Sequence, residues 1–169
     1  TGAAYTFDIS AHTNSNNPPA DLNISTTLTV LENQPIGTTV GSFTATDPDA
    51  NTTFSYSLVA GAGDGNNSLF TLESNGTLKT AALLDFETSP SLSIRVQVSD
   101  ENNASIDGNF TVLVTNENEA PIITNGTAIT LTLQEDGNLT DSTLVATDPD
   151  SGDVLTWTSV FYGDRNETI

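Results

Sequence analysis

The sequence predicts an all-β fold, an antiparallel β-sandwich, on three observations. Apolar and polar residues alternate with period two in one segment after another, the pattern of half-buried strands. Clusters of Gly, Asn, Asp and Pro interrupt these segments at short intervals and supply the turns. No stretch carries a helical period, so no helix is available to cover a sheet and two sheets must cover each other.

The elements follow in order. "STTLTVLEN" places Leu28 and Val30 on one face. Phe54 and Tyr56, and later Trp157, stand at alternating strand positions and are expected to pack in a core. "GAGDGNN" at 61–67 reads as a glycine-rich hairpin loop, since it lacks the bidentate Glu of a calcium loop. "SLSIRVQVSD" sends Leu92, Ile94, Val96 and Val98 inward and Ser93, Arg95 and Gln97 outward. "SDENNAS" is a hairpin turn. "GNFTVLVTN" aligns Phe110, Val112 and Val114, and "TAITLTLQED" aligns Ile129, Leu131 and Leu133.

Charge and composition exclude several functions. Twenty-two acids stand against three bases, for a net charge of −19. Such a chain repels nucleic acid and attracts cations. There is no cysteine, hence no disulfide and no thiolate metal site. Small secreted domains without disulfides need another staple, and calcium is one. His12 is the single histidine, which argues against zinc ligation, Ser/His or Cys/His catalysis and an enzyme. Asp85 and Glu87 lie too close, on one strand, for the opposed carboxylates of a glycosidase. No run of eighteen apolar residues occurs, so no membrane insertion is expected in this segment. Thr1 is not an initiator, and the chain reads as a processed or excised piece.

Nine N-x-S/T sequons, at Asn23, Asn51, Asn66, Asn75, Asn103, Asn109, Asn125, Asn138 and Asn166, exceed the roughly four that chance would give, and point to an exported glycoprotein.

The chain also repeats itself. "ATDPD" at 45–49 returns at 146–150, an offset of 101. Glu32 in "LTVLEN" matches Glu135 in "LTLQED", Pro18 matches Pro121 and Phe7 matches Phe110, each at an offset of 103. A unit of roughly a hundred residues is thus duplicated. Residues 1–17 read as the terminal strand and linker of a preceding unit, 18–119 as a complete unit and 120–169 as the N-terminal half of the next.

Several landmarks come in order along residues 18–121. They are Glu32 after the first strand, "ATDPD", "LFTLESNGTLKT", "LLDFE", "VQVSDENN" and "VTNENEAP". In this series the chain resembles a cadherin-like repeat of the divergent microbial kind. The resemblance implies an Ig-like, seven-stranded Greek-key sandwich in tandem, with Ca2+ at each junction. Calcium takes six to eight hard oxygens at about 2.3–2.6 Å. By resemblance the ligands are Glu32, Asp85 and Glu87, then Asn116, the Glu117 carbonyl, Asn118 and Glu119 of the linker, then Asp148 and Asp150. Asp85 and Glu87, two apart, share one side of an extended backbone, and Pro149 stiffens its loop. An upstream site would use Asp47, Asp49 and Asp100, although the linker "TNSNNPP" offers no acid. Asn116 and Glu119 replace the aspartates that the family writes there, which lowers the expected affinity.

The resulting expectation is an extracellular, calcium-stiffened segment of a cell-surface adhesin or structural filament. Its partners would be neighbouring repeats, like subunits, or a surface protein or polysaccharide. Two alternatives stand beside it. One is a carbohydrate-binding accessory module, favoured by an exposed aromatic row. The other is a strand-exchanging filament subunit, with residues 5–11 as the donated strand.

Overall fold

The computed structural model describes residue 2, residues 15–124 and residues 145–158. The expected strands at 5–11 and 127–136, His12, and the sequons Asn125, Asn138 and Asn166 lie outside the described residues. The chain divides into two compact units, Thr1–Glu117 and Asn118–Ile169.

The first unit is a two-sheet sandwich. One sheet has the order β1 (Asp21–Ile24), β3 (Thr39–Thr46), β6 (Thr77–Thr80), β5 (Phe70–Leu72). The other has the order β2 (Thr29–Leu31), β8 (Ser105–Thr115), β7 (Ser91–Ser99), β4 (Ser55–Leu58). Alternation holds best where the two longest strands pair, with Ile94 opposite Phe110 and Val98 opposite Ile106. Leu92, Ile94, Val96, Val98, Val112 and Val114 are buried between the sheets, together with Leu78 and Phe43. Burial of each such side chain contributes about 1.5–3 kcal/mol. Phe43 meets Phe110 edge-on at 4.9 Å between ring centroids, a geometry set by the ring quadrupoles.

The first edge strand is not continuous. β1 pairs antiparallel with β3, and the chain then crosses to the second sheet, where β2 runs parallel to β8. Leu28 packs closely over Gly41 beside the crossing: a Cβ there would stand 2.7 Å from Leu28 Cδ2. The β3–β6 register slips beside it, between Thr39 and Gly41, so the buried residues Val40 and Phe43 are three apart instead of two. The purely antiparallel expectation fails at this pair because side-chain alternation carries no strand direction.

The segment 61–67 is not a hairpin loop. β4 pairs with β7, whereas β5 belongs to the other sheet, so the segment is a crossover between sheets. Its end guards an edge. Asn66 Oδ1 accepts from Ser93 N and Asn67 Oδ1 from Arg95 N, both at 2.9 Å. These bonds cover the part of β7 that β4 leaves unpaired.

In the second unit β9 (Ile122–Ile123) pairs antiparallel with β10 (Ala146–Thr147), with Ile123 opposite Ala146. In the first unit β1 likewise pairs antiparallel with β3, which carries Ala45 of the first "ATDPD" as β10 carries Ala146 of the second. Trp157 departs from expectation. It occupies the place of core residue Tyr56 in the repeat, yet it is 51% exposed and lies outside any strand, whereas Tyr56 is 8% exposed.

Candidate metal centre

Among the described residues, two groups of acids bring three carboxylates within 4.8 Å of one another: Glu32 with Asp85 and Glu87, and Asp148 with Asp150 and Asp153. Each group belongs to a different unit.

Glu32 follows β2 directly. The parallel pairing of β2 with β8 carries it to the end of the unit where β8 leaves, and Glu32 N donates to Thr115 O at 3.0 Å. The residue is fully buried. Its Oε1 accepts from Glu117 N at 2.9 Å and its Oε2 from Phe86 N at 2.8 Å. These charge-assisted bonds offset the cost of burying a carboxylate and tie β2, the loop after Leu84 and the start of the linker to one side chain. Asp85 and Glu87 are exposed. They sit in a turn closed by Ser89 N onto Asp85 O at 3.0 Å, not on an extended strand. The turn, rather than a strand pleat, makes the two carboxylates converge. The Thr88 hydroxyl and amide both donate to Asp85, at 2.7 and 3.0 Å, and hold its carboxyl below the ordinary aspartate range.

The upstream acids Asp47, Asp49 and Asp100 are not brought together as such a group among the described residues. Amides take them instead. Asp49 Oδ2 accepts from Asn17 N at 2.6 Å and Oδ1 from Asn17 Nδ2 at 3.2 Å. Asp100, 4% exposed, closes the β7–β8 hairpin by accepting from Asn102 N and Ala104 N, and it receives Asn16 Nδ2 at 2.8 Å. Burial pushes its carboxyl up. The bonds from Asn16, Ala104, Asn102 and Asn103 together outweigh burial and leave it below the ordinary range. The linker that lacks acids thus supplies amide donors. Asp47 Oδ1 accepts from Asp49 N at 2.7 Å, while its Oδ2 is buried and meets no donor.

The second unit repeats this turn with a change. Asp148 Oδ1 accepts from Asp150 N at 3.1 Å, and Asp150 Oδ2 accepts from Glu119 N at 2.6 Å. Asp150 is 7% exposed, and no donor faces its Oδ1. Asp153 joins the group. The sequence reading missed it, although the offset of 101 places it against Thr52 and so marks an acid gained between the repeats. Of the linker residues, Asn116 is exposed, the Glu117 side chain accepts from Gln34 Nε2 at 3.4 Å, and Asn118 Nδ2 donates to Glu119 O at 3.1 Å. The described bases are engaged elsewhere, Lys79 with Glu73 and Arg95 with Asp107.

The donor set is made of hard oxygens, several of them anionic, with no nitrogen or sulfur. That chemistry fits calcium and not zinc or copper. A two-sheet sandwich with a crossing first strand and acids gathered where its last strand leaves defines a modular repeat domain, present here in tandem. The chain belongs to the cadherin family: residues 26–115, more than half of its length, match the cadherin domain. Cadherin-18 of Bos taurus is 38% identical over 97 residues, which are 56% of this chain and 12% of that protein. Among solved structures, PcdhgB3 EC1-4 matches at 28% identity with a TM-score of 0.56, over 82% of this chain and 34% of that one. The extracellular cadherin domains 1-5 of Protocadherin Gamma B2 match at 27% identity with a TM-score of 0.51, over 82% of this chain and 27% of that one. The chain therefore spans well under two thirds of these relatives.

Proposed function

We propose that this chain is an extracellular, calcium-stiffened cadherin segment of a cell-surface adhesin or structural filament. The ligands are Glu32, Asp85, Glu87, Asn116, the Glu117 carbonyl, Asn118, Glu119, Asp148 and Asp150. One observation carries the reading: fully buried Glu32 shares a 4.8 Å cluster with exposed Asp85 and Glu87, and no described base neutralises them. Three carboxylates at that spacing repel one another until a cation arrives. A cation held there fastens the linker, since Glu32 already holds Glu117 N. Neighbouring repeats or like subunits are the partners this reading favours, and the segment acts by position and stiffness, without catalysis. Export is supported by the extracellular domains matched in Protocadherin Gamma B2. It is supported also by the exposure of Asn23, Asn51, Asn75, Asn103 and Asn109, which leaves these sequons open to glycan. Phe54 and Tyr56 form no exposed aromatic row, since Tyr56 is buried and Phe54 packs against the core, so the carbohydrate-binding alternative gains no support from them.

The test is a thermal melt in chelator and in millimolar calcium. An ion that binds only the folded state raises the midpoint, by about 2.7 kcal/mol of stability at a hundredfold excess over Kd. The expected rise is smaller in an Asp85→Asn, Glu87→Gln variant. An unchanged midpoint in the native chain would reduce these acids to surface charge.

A further inference from the structure

We infer that the glycine-rich segment 61–65 and a sugar on Asn109 compete for one place on the outer face of the β7–β8 pair, so that glycosylation at Asn109 unseats the segment. The inference rests on the reading of the sequons as glycan sites and is independent of calcium.

The segment lies flat on the sheet. Where it leaves β4, Val59 N donates to Arg95 O at 3.0 Å, and where it ends, Asn66 N donates to Ser93 O at 3.0 Å. Between these ties the chain passes over Arg95 of β7 and Asn109 of β8, which stand opposite each other in the ladder. A Cβ on Gly61 would lie 2.9 Å from Arg95 Nε, and one on Gly63 would lie 2.4 Å from Asn109 Cγ and 2.5 Å from Asn109 Nδ2. Only residues without a side chain come that close, and both hold a positive φ, +148° and +99°. Arg95 clamps the passage. Its Nη1 donates to Ala62 O at 3.0 Å and to Asn109 Oδ1 at 3.4 Å, while its Nη2 pairs with Asp107.

Asn109 is thus committed twice. It is the acceptor of the sequon "NFT", whose Thr111 is exposed two residues further along β8 and so on the same face. Its carboxamide is also the platform on which Gly63 rests. Glycosylation joins Nδ2 to the anomeric carbon of an activated sugar phosphate. The bond from that carbon to the phosphate oxygen breaks, the phosphate leaves with the electron pair, and one Nδ2 proton passes to solvent. The gap between Gly63 and the carboxamide does not admit one further carbon atom, and a hexose beside Nδ2 needs many times that room. The unmodified chain therefore carries a seated segment that caps Arg95. The modified chain carries a sugar there and a segment lifted away between its ties at Val59 and Asn66.

The chain has no cysteine, so Asn109→Cys offers a single thiol to an iodoacetyl derivative of N-acetylglucosamine. Gly61 N donates to Asp64 Oδ2 at 2.9 Å and Asp64 N to Gly61 O at 3.2 Å, and hydrogen exchange at these two amides reports on the segment. Loading the Asn109→Cys thiol should speed that exchange at least tenfold over the same variant unloaded. The same sugar on Asn51→Cys should leave it unchanged. Adding Gly63→Ala, which unseats the segment from its own side, should speed the loading of Asn109→Cys at least fivefold. A thermal melt checks that each variant folds. Unchanged exchange on loading, or an unchanged loading rate with Gly63→Ala, overturns the competition and leaves the glycoprotein reading standing. A native chain secreted by a glycosylating host with no sugar at any sequon overturns the glycoprotein reading instead, and the thiol experiment still decides whether the place is shared.

Discussion

The two DPD turns are the same peptide in two electrostatic settings. In the first unit Asn16 and Asn17 deliver amide donors to Asp100 and Asp49, and Thr52 adds a hydroxyl. In the second, one backbone amide reaches Asp150 and a third acid takes the place of the threonine. A repeated motif therefore does not imply repeated partners. Whether aspartates at a turn act as acceptors or as ligands depends on what the neighbouring chain offers. Asparagine amides can satisfy a carboxylate in place of an ion, and the chain writes "NSNN" before one turn and "ENE" before the other.

The contrast can be broken most directly at Asp49. Asp49→Ala leaves the exposed Asn17 amide and side chain to water, and should cost the first unit about 0.5–1.5 kcal/mol. Urea unfolding followed at Tyr56 should show that loss equally with and without calcium. A loss that calcium abolishes would mean that the first turn is a metal site too. A smaller effect concerns acid. Asp100 and Asp85 are held below their ordinary range by hydrogen bonds. Their contribution is complete above the unfolded value near pH 4 and is lost as pH falls through the lower folded value. The midpoint of the first unit in chelator should accordingly fall on acidification below about pH 4. Asp100→Asn should flatten that slope, and an unaltered slope would remove Asp100 from the account.

Much of the sandwich was legible in the sequence because burial on one face imposes a period of two, as in Leu92, Ile94, Val96 and Val98. The course of the first edge strand was not. Alternation carries no sign of direction, and the missing side chain of Gly41 matters only once Leu28 lies against it. Trp157 misled because strand-like spacing says nothing about which segments cover a face. For the site, Glu32, Asp85 and Glu87 come together as expected, though Asp85 and Glu87 do so through a turn. The amides that meet Asp49 and Asp100 were not legible, because an acid-rich turn has one appearance in sequence whether amides or ions satisfy it. Asp153 was readable from the outset as the one acid that the second turn adds.

The parallel run of β2 beside β8 decides how the first unit bears mechanical load. A pull on its two ends draws β2 and β8 past each other along their length. The bonds linking Thr29–Leu31 to Leu113–Thr115 are then strained together in shear, not opened one by one as when a hairpin is unzipped. The Glu32 side chain lies in the same line of force, joining the end of β2 to Glu117. In single-molecule pulling, Glu32→Gln should lower the rupture force of this unit, and an unchanged force would assign the load to the sheets alone. Stiffness against bending and strength under tension would then meet at one buried carboxylate.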